Sequence, residues 1–309
     1  MTRGELGYRQ SLKRGASLCE GQKYGESAAS SDSLDGLQGI EVEVYDDDLR
    51  RFEAQGAPAM PVASVQGYVA NDGARIWYAT HGTGAPVILL HGGLGHSGNW
   101  GYQVPALIRS GYRAVVIDSR GHGRSTRDAQ PYRYERMACD VLAVMDELQL
   151  PRAALVGWSD GAVIALLLAM KAPARVTGVL YFGCNMDPTG LKPVVDSSPL
   201  LTRCLSRHAQ DYAQLSSTPD QFKPFLDAVS VMMSTQPNCS AQELAQIRVP
   251  VAVAHSEHDE FIKREHAEYL ARTIPNAAFI DLHGVSHFAP LQRPEQFNAA
   301  VLSFLESLR

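Results

Sequence analysis

A strand-like run, a serine between two glycines and an apolar helical run follow one another near the middle of this chain of 309 residues. Residues 153–156 are apolar, Gly-Trp-Ser-Asp-Gly occupies 157–161, and an apolar run covers 163–170. Glycines on both sides of the serine allow a very tight turn between strand and helix, where larger residues would clash. The Ser159 hydroxyl then projects from the sheet edge beside a helix N-terminus, which favours an anion. The segment therefore predicts a nucleophilic serine.

Two further strand-like runs end in the residues that such a serine needs. A serine hydroxyl is a weak nucleophile at neutral pH, so it requires a base and usually an acid that orients the base. Asp259 follows the apolar run at 249–255, and His287 follows the run at 278–282. The predicted order is Ser159, Asp259, His287, which differs from the trypsin and subtilisin orders.

A glycine-rich turn, His91-Gly92-Gly93-Leu94-Gly95, follows another apolar run, at 86–90. Such a turn offers a backbone N–H to the oxygen that becomes negative during acyl transfer. We assign this N–H to Gly93 and a second one to Asp160, the residue after the nucleophile. His91 is expected to orient the turn by hydrogen bonding.

Five segments together resemble the α/β-hydrolase family, from about residue 65 to the C-terminus. They are His91-Gly92-Gly93, Asp118-x-Arg120-Gly121-x-Gly123-x-Ser125, Gly157-x-Ser159-x-Gly161 and the loops bearing Asp259 and His287. The resemblance implies the α/β-hydrolase fold, a mostly parallel eight-stranded sheet flanked by helices, with a helical cap. It implies carboxylic ester hydrolysis most often. Lactonases, aminopeptidases, C–C bond hydrolases and cofactor-free perhydrolases share the framework, so the fold does not select a substrate.

The alternation of strand-like and helix-like runs independently predicts a mostly parallel sheet that is covered on both faces. The first two strands, joined by Asn71-Asp72-Gly73, are expected to form an antiparallel hairpin at the sheet edge. Strands are expected at 65–70, 75–80, 86–91, 114–118, 153–157, 177–183, 249–255 and 277–282, and helices at 98–109, 133–149, 161–171, 263–273 and 294–308.

The chain divides into three parts by composition. Residues 63–185 and 248–309 are predicted to form the core, and the proline-interrupted segment 186–247 a helical cap over Ser159. Residues 1–62 are an extension, interpreted as a mobile arm, an oligomer contact or an artefact of the start codon. Met232 and Met233 in the cap are expected to contact substrate, because flexible thioethers suit a pocket of variable shape. Trp158 and Phe288, next to the predicted nucleophile and base, are also expected to contact substrate.

Other residues compete for the catalytic roles. The alternatives to His287 are His283, His258 and His255, and those to Asp259 are Glu257, Glu260 and Asp187. Asp187 follows the strand before the cap, an acid position in some relatives. The His255-x-x-His258-Asp259 segment lacks the ligand spacing of known zinc motifs, so we predict no metal and no cofactor.

The carboxylate of Asp160 allows two interpretations. It either pairs with a cationic amine of the substrate, as a similar Gly-Trp-Ser-Asp-Gly elbow suggests for amino-acid ester hydrolases of the family, or points away. In the second case it accepts hydrogen bonds at the start of the helix, where negative charge is favoured.

Composition limits the partners. A net charge of −5 argues against nucleic acid or an anionic membrane surface as the main partner. No apolar run reaches the roughly 18 residues that a membrane-spanning helix requires. The five scattered cysteines predict reduced, mostly buried thiols in a cytoplasmic protein. The expected partner is a small-molecule ester, and composition sets no oligomeric state.

The predicted function is hydrolysis of carboxylic esters with small to medium acyl chains, through a Ser159–His287–Asp259 triad and an acyl-enzyme. Lactone hydrolysis, amino-acid ester hydrolysis and C–C bond hydrolysis are alternatives on the same fold. A ligand receptor without turnover is a further alternative, because such proteins can keep an intact triad.

Overall fold

The computed structural model describes residues 47–193 and 199–309. They form one eight-stranded sheet with the order β1-β2-β4-β3-β5-β6-β7-β8, in which only β2 runs opposite to its neighbours. The strands are β1 Val65–Asn71, β2 Ala74–His81, β3 Ala85–Leu90, β4 Tyr112–Ile117, β5 Ala153–Trp158, β6 Val176–Phe182, β7 Val251–His258 and β8 Ala278–Ser286. The predicted fold class is confirmed, and so are the mostly parallel sheet and its antiparallel edge hairpin.

Helices cover both faces of this sheet. The α-helices are α1 Asp47–Gln55, α2 Gln103–Arg109, α3 Tyr134–Glu147, α4 Asp160–Lys171, α5 Pro199–Leu215, α6 Phe222–Thr235, α7 Ala241–Leu244, α8 Arg264–Thr273, α9 Ala289–Gln292 and α10 Pro294–Ser307. Short 3-10 turns lie at Ser97–Trp100, Pro173–Arg175, Pro188–Gly190 and Pro219–Gln221.

The helix expected at 98–109 is split into the 3-10 turn at 97–100 and α2. Pro105 lies in the first turn of α2, where its missing N–H is tolerated; further inside a helix it would break the ladder. Gly101 lies at the break, and a Cβ there would overlap the Pro58 carbonyl. The split therefore lets Pro58, in the segment before β1, pass close to Gly101.

Two apolar clusters lie on the two faces of the sheet. One joins α3 and α4 to residues of α6 such as Phe225 and Val229. The other joins α2 and α10 to side chains such as Trp100. Residues 160–169 of α4 are all buried. The helix that follows the predicted nucleophile is thus enclosed by the core, which holds its N-terminus in place.

Helices α5, α6 and α7 lie between β6 and β7, within the segment predicted as the cap. Their apolar side chains contribute to both clusters: Phe225 and Met232 to the first, and Cys204 to the second. These three helices therefore share buried surface with the rest of the described fold.

Part of the predicted N-terminal extension is folded onto the core. Leu49 and Phe52 of α1 are 3% and 2% exposed and belong to the second cluster. Glu53 pairs with Arg203 of α5 at 3.3 Å. Residues 47–55 therefore pack on the core through an apolar face, and the interpretation of the extension as a whole stays a prediction. Residues 1–46 lie outside the described residues.

Two further sequence predictions concern the cysteines and membrane-spanning helices. Cys184 and Cys204 are buried, Cys239 is half-buried and Cys139 is exposed, all as free thiols, while Cys19 lies outside the described residues. Within residues 47–193 and 199–309, no helix is both long and apolar enough to cross a membrane.

We expect Phe52→Ala to lower the free energy of unfolding by about 3 kcal/mol, because it leaves a cavity between α1 and the core. Urea titration of the full chain, followed by circular dichroism, measures this change. The matched control is Arg51→Ala, an exposed position on the same helix. Equal stability of the two variants would mean that α1 contributes little to the fold.

Candidate active site

Ser159 alone makes the turn between β5 and α4. Its backbone has φ 54° and ψ −123°, a conformation that is strained for a residue with a side chain. The Ser159 N–H donates to the Phe182 carbonyl at 2.8 Å. A Cβ on Gly157 would overlap the first turn of α4, and one on Gly161 would overlap the Leu90 carbonyl. The glycines are thus required by close backbone approach.

His287 and Asp259 form a buried pair in the loops after β8 and β7. The His287 Nδ1 lies 2.9 Å from Asp259 Oδ2, and the two residues are 5% and 1% exposed. Asp259 Oδ1 accepts the N–H groups of Phe261 and Ile262, each at 2.9 Å. The carboxylate is therefore fully engaged, and it orients the imidazole.

Nearby charges shift the pKa values of His287 and Asp259 in opposite directions. Burial lowers the pKa of His287, but the nearby carboxylates of Asp259, Glu260 and Asp160 outweigh burial and raise it above 6.5. Burial raises the pKa of Asp259, but His287 and the two backbone donors outweigh burial and lower it. Asp259 stays ionised, so Nδ1 of His287 keeps its proton and Nε2 is left as the acceptor.

Two aromatic residues fix the Ser159 turn and the His287 loop to each other. The Trp158 Nε1–H donates to the His287 carbonyl at 2.9 Å. The Phe182 ring stacks on the His287 ring, with centroids 6.3 Å apart and planes 25° apart. Because the Phe182 carbonyl also accepts the Ser159 N–H, the Ser159 turn and the His287 ring share one supporting residue.

The glycine-rich turn after β3 lies against the elbow, where a Cβ on Gly92 would be 3.2 Å from the Ser159 Cβ. His91 Nε2 accepts the Ser119 N–H at 3.0 Å, so Nδ1 carries the proton and donates to the Gly92 carbonyl at 2.8 Å. Burial lowers the pKa of His91 to about 4, which keeps it neutral. In a trans peptide C=O and N–H point in opposite directions, so this contact sets the direction of the Gly93 N–H.

The Asp160 carboxylate faces the glycine-rich turn. Its Oδ1 accepts the Tyr134 hydroxyl at 2.8 Å, whereas its Oδ2 is buried without a partner among the described residues. A Cβ on Gly93 would lie 2.7 Å from this Oδ2. Burial raises the pKa of Asp160 to about 6, although the Tyr134 hydrogen bond and His287 lower it. One carboxylate oxygen is therefore available on the side of Gly93.

The predicted substrate contacts fall into two groups. The Met233 methyl lies against Gly93, where a Cβ would overlap it. Met232 is 1% exposed and packs in the first cluster. Phe288 is 6% exposed and packs edge-on against Trp158, with centroids 5.9 Å apart. Met233 and Trp158 both lie beside the glycine-rich turn, since a Cβ on Gly92 would be 3.7 Å from Trp158 Cδ2. Contact of all four residues with substrate stays a prediction.

The competing residues have other partners. His283 is exposed and lies 3.5 Å from Glu257. Asp187 accepts the Thr189 N–H at 2.9 Å and is 4.0 Å from His266. Neither contact belongs to the Asp259–His287 pair.

Glu260 has a contact that sequence reasoning missed. Its Oε2 accepts the His287 N–H at 2.9 Å, so it holds the backbone of the residue whose side chain Asp259 holds. Burial raises the pKa of Glu260, against the lowering influence of His287. Its place next to Asp259 is the signal available in the sequence, which predicts it only as an alternative acid.

Several known proteins are similar to this chain. Serine hydrolase BPHL of Mus musculus is 27% identical, over 82% of this chain and 91% of that protein. The putative carbamate hydrolase RutD of Caulobacter sp. is 29% identical, over 74% of this chain and 95% of that protein. These relatives are similar over most of the residues described above.

Solved structures show the same fold. Est816, described as an N-acyl homoserine lactone degrading enzyme, is 27% identical with a TM-score of 0.64, covering 77% of this chain and all of that one. Carboxylesterase CesB from Bacillus subtilis is 23% identical with a TM-score of 0.67, covering 83% and 96%. The model of the alpha/beta hydrolase family matches residues 87–300. The chain therefore belongs to the α/β-hydrolase family.

Proposed function

We propose that this protein is a serine hydrolase that cleaves carboxylic esters through an acyl-enzyme. The observation that carries the proposal is the strained Ser159 turn, tied through Trp158 and Phe182 to the buried His287–Asp259 pair. Strain of this kind persists where the surrounding structure holds it, and it concentrates at functional sites.

In the proposed mechanism, His287 Nε2 takes the Ser159 proton as the hydroxyl oxygen attacks the ester carbonyl. The resulting oxyanion accepts the N–H groups of Gly93 and Asp160, each worth roughly 3 kcal/mol of barrier. The imidazolium then protonates the leaving alcohol, and the acyl group stays on Ser159. Water, activated by the same base, releases the acid. No step requires a cofactor.

The relatives support a carbonyl substrate without selecting one. Their names include a serine hydrolase, a carbamate hydrolase and a lactone-degrading enzyme. A serine attack on a carbonyl carbon serves each of these reactions. Lactones and C–C bonds therefore remain alternative substrates for the same residues.

A specific observation favours aminoacyl esters among the possible substrates. The Oδ2 of Asp160, without a hydrogen-bond partner among the described residues, lies near Gly93, so an ionised Asp160 places negative charge beside the developing oxyanion. A substrate ammonium bound to Oδ2 would satisfy this oxygen and offset its charge. Oδ2 of Asp160 would then favour substrates whose acyl group carries an amine.

We expect Ser159→Ala to reduce turnover of p-nitrophenyl esters, from acetate to decanoate, by about 10⁴-fold or more, since it removes the nucleophile. Ser110→Ala, an exposed serine after α2, is the matched control. A fluorophosphonate should label Ser159 in the wild type, as located by peptide mass spectrometry. Undiminished turnover by the alanine variant would exclude the mechanism.

The acid limb of the kcat/KM profile should lie above pH 6.5, because His287 must be neutral and neighbouring carboxylates raise its pKa. Glu260→Gln should move this limb to lower pH, because the amide oxygen still accepts the His287 N–H but no longer stabilises the imidazolium. Glu257→Gln is the control, an exposed carboxylate that binds the Gly284 N–H at 2.9 Å. If the acid limb of Glu260→Gln stays at the wild-type pH or moves to higher pH, the Glu260 carboxylate does not raise the pKa of His287.

Asp160→Asn should lower kcat/KM for aminoacyl esters by about 10- to 100-fold, the worth of a charged hydrogen bond. Acetyl esters should change by only a few fold. Tyr134→Phe, which removes the donor to Oδ1 but leaves the charge, should retain the aminoacyl preference. If Asp160→Asn lowers kcat/KM equally for acetyl and aminoacyl esters, Asp160 does not bind a substrate amine.

A further inference from the structure

The glycine-rich turn is strained at Leu94, whose φ is +64°. A leucine in this left-handed conformation persists only where its surroundings hold it. At the start of the turn, the Gly92 carbonyl accepts His91 Nδ1–H and the Gly95 N–H, at 2.8 and 3.1 Å. Just after the turn, the His96 N–H donates to Asn99 Oδ1 at 2.9 Å and the Ser97 N–H donates to Asp118 Oδ1 at 2.7 Å. These bonds fix the backbone locally and leave the His96 side chain to reach a more distant partner.

His96 connects the turn to the cap. Its Nδ1 accepts the Gly98 N–H at 3.1 Å, so its proton lies on Nε2 and faces Asp211 Oδ2 at 3.3 Å. Asp211 is on α5, 115 residues further along the chain. The side chains of His96 and Asp211 are 14% and 8% exposed, so water weakens this contact little.

Asp211 is itself held in place. Its Oδ1 accepts Nε–H of Arg207 at 2.8 Å and also contacts Nη2 of the same guanidinium. The guanidinium lies against Gly56, where a Cβ would be 3.1 Å from its Cζ. One turn earlier, Arg203 of α5 pairs with Glu53 of α1. Helix α1 therefore anchors the face of α5 that carries Asp211.

The second long cap helix also contacts this turn. The Met233 methyl of α6 lies against Gly93, on the residue whose N–H faces the reacting oxygen in the mechanism above. The strained turn thus receives one polar contact from α5 and one apolar contact from α6. Both contacts exist only while the cap is seated on the core.

We propose that Asp211 is a positioning residue for the oxyanion hole: through His96 it ties cap helix α5 to the strained turn that presents the Gly93 N–H. Seating of the cap and assembly of the oxyanion hole are then one event. The catalytic consequence rests on the proposed function, whereas the effect on the turn itself does not.

The test compares Asp211→Ala with Asp227→Ala in the full chain. Asp227 is the control because it lies in the cap and pairs with Lys223 on the exposed surface of α6 at 2.9 Å. With a p-nitrophenyl ester, Asp211→Ala should lower kcat about tenfold, less than complete loss of one oxyanion donor, and leave KM within about twofold. Affinity for a trifluoromethyl ketone, which forms a tetrahedral adduct, should fall by the same factor, while affinity for the matching methyl ketone should not change.

Two further variants separate positioning from general damage. Asp211→Asn keeps an acceptor for His96 Nε2–H and should recover most of the kcat. His96→Asn keeps an Ncap acceptor for the Gly98 N–H but is too short to reach Asp211, so it should reproduce the loss. The double variant Asp211→Ala/His96→Asn should be no worse than the poorer single one, because both act through one contact. His96→Asn carries the test if Asp211→Ala does not fold.

Hydrogen exchange of the 92–97 segment gives a readout independent of turnover. Exchange there should accelerate in Asp211→Ala and His96→Asn but not in Asp227→Ala. If exchange is unchanged in both Asp211→Ala and His96→Asn, the proposal is overturned. It is also overturned if Asp211→Ala changes only KM, or if its kcat falls no more than that of Asp227→Ala. If the wild type hydrolyses no ester while exchange responds as expected, the proposed function fails and the positioning of the turn stands.

Discussion

The close approach of α4 to the carboxyl ends of β3 and β5 is the constraint on which the site depends. Gly157 and Gly161 permit this approach, since a Cβ on either one would overlap backbone. The burial of residues 160–169 then holds the helix N-terminus against the sheet. Ser159 is left with a backbone conformation that it would not adopt in isolation, and the core supplies the free energy that maintains it.

Parallel strands bring the remaining groups to the same edge. The glycine-rich turn follows β3, Ser159 follows β5, and the loops of Asp259 and His287 follow β7 and β8. His287 is held at three points: its Nδ1 by Asp259, its N–H by Glu260 and its carbonyl by Trp158. The buried His287 imidazole, with its raised pKa, is thus fixed in orientation. In the proposed mechanism this lowers the reorganisation that the reaction requires.

Helix α5, in the segment predicted as a cap, and the first described helix extend this arrangement. Helix α1 contacts α5 through Glu53 and Arg203, and α5 reaches the glycine-rich turn through Asp211 and His96. Residues 47–55 precede the segment that matches the family model, which starts at residue 87. The support for the candidate site therefore includes a helix outside the matched region, and this helix contacts α5 through the Glu53–Arg203 ion pair.

Local patterns determined the fold class, all eight strands and the order of Ser159, Asp259 and His287, because strand burial and tight turns leave signals within a few neighbouring residues. Other features depend on residues far apart in the chain, and tertiary structure decided them. The only signal for Glu260 in the sequence is its place next to Asp259, and its role became visible only when β8 brought the His287 N–H to 2.9 Å from Oε2. The same holds for adjacent Met232 and Met233, since only helix orientation sends one into the core and the other to Gly93. Sequence determines which groups a site can contain, and packing determines which of them meet.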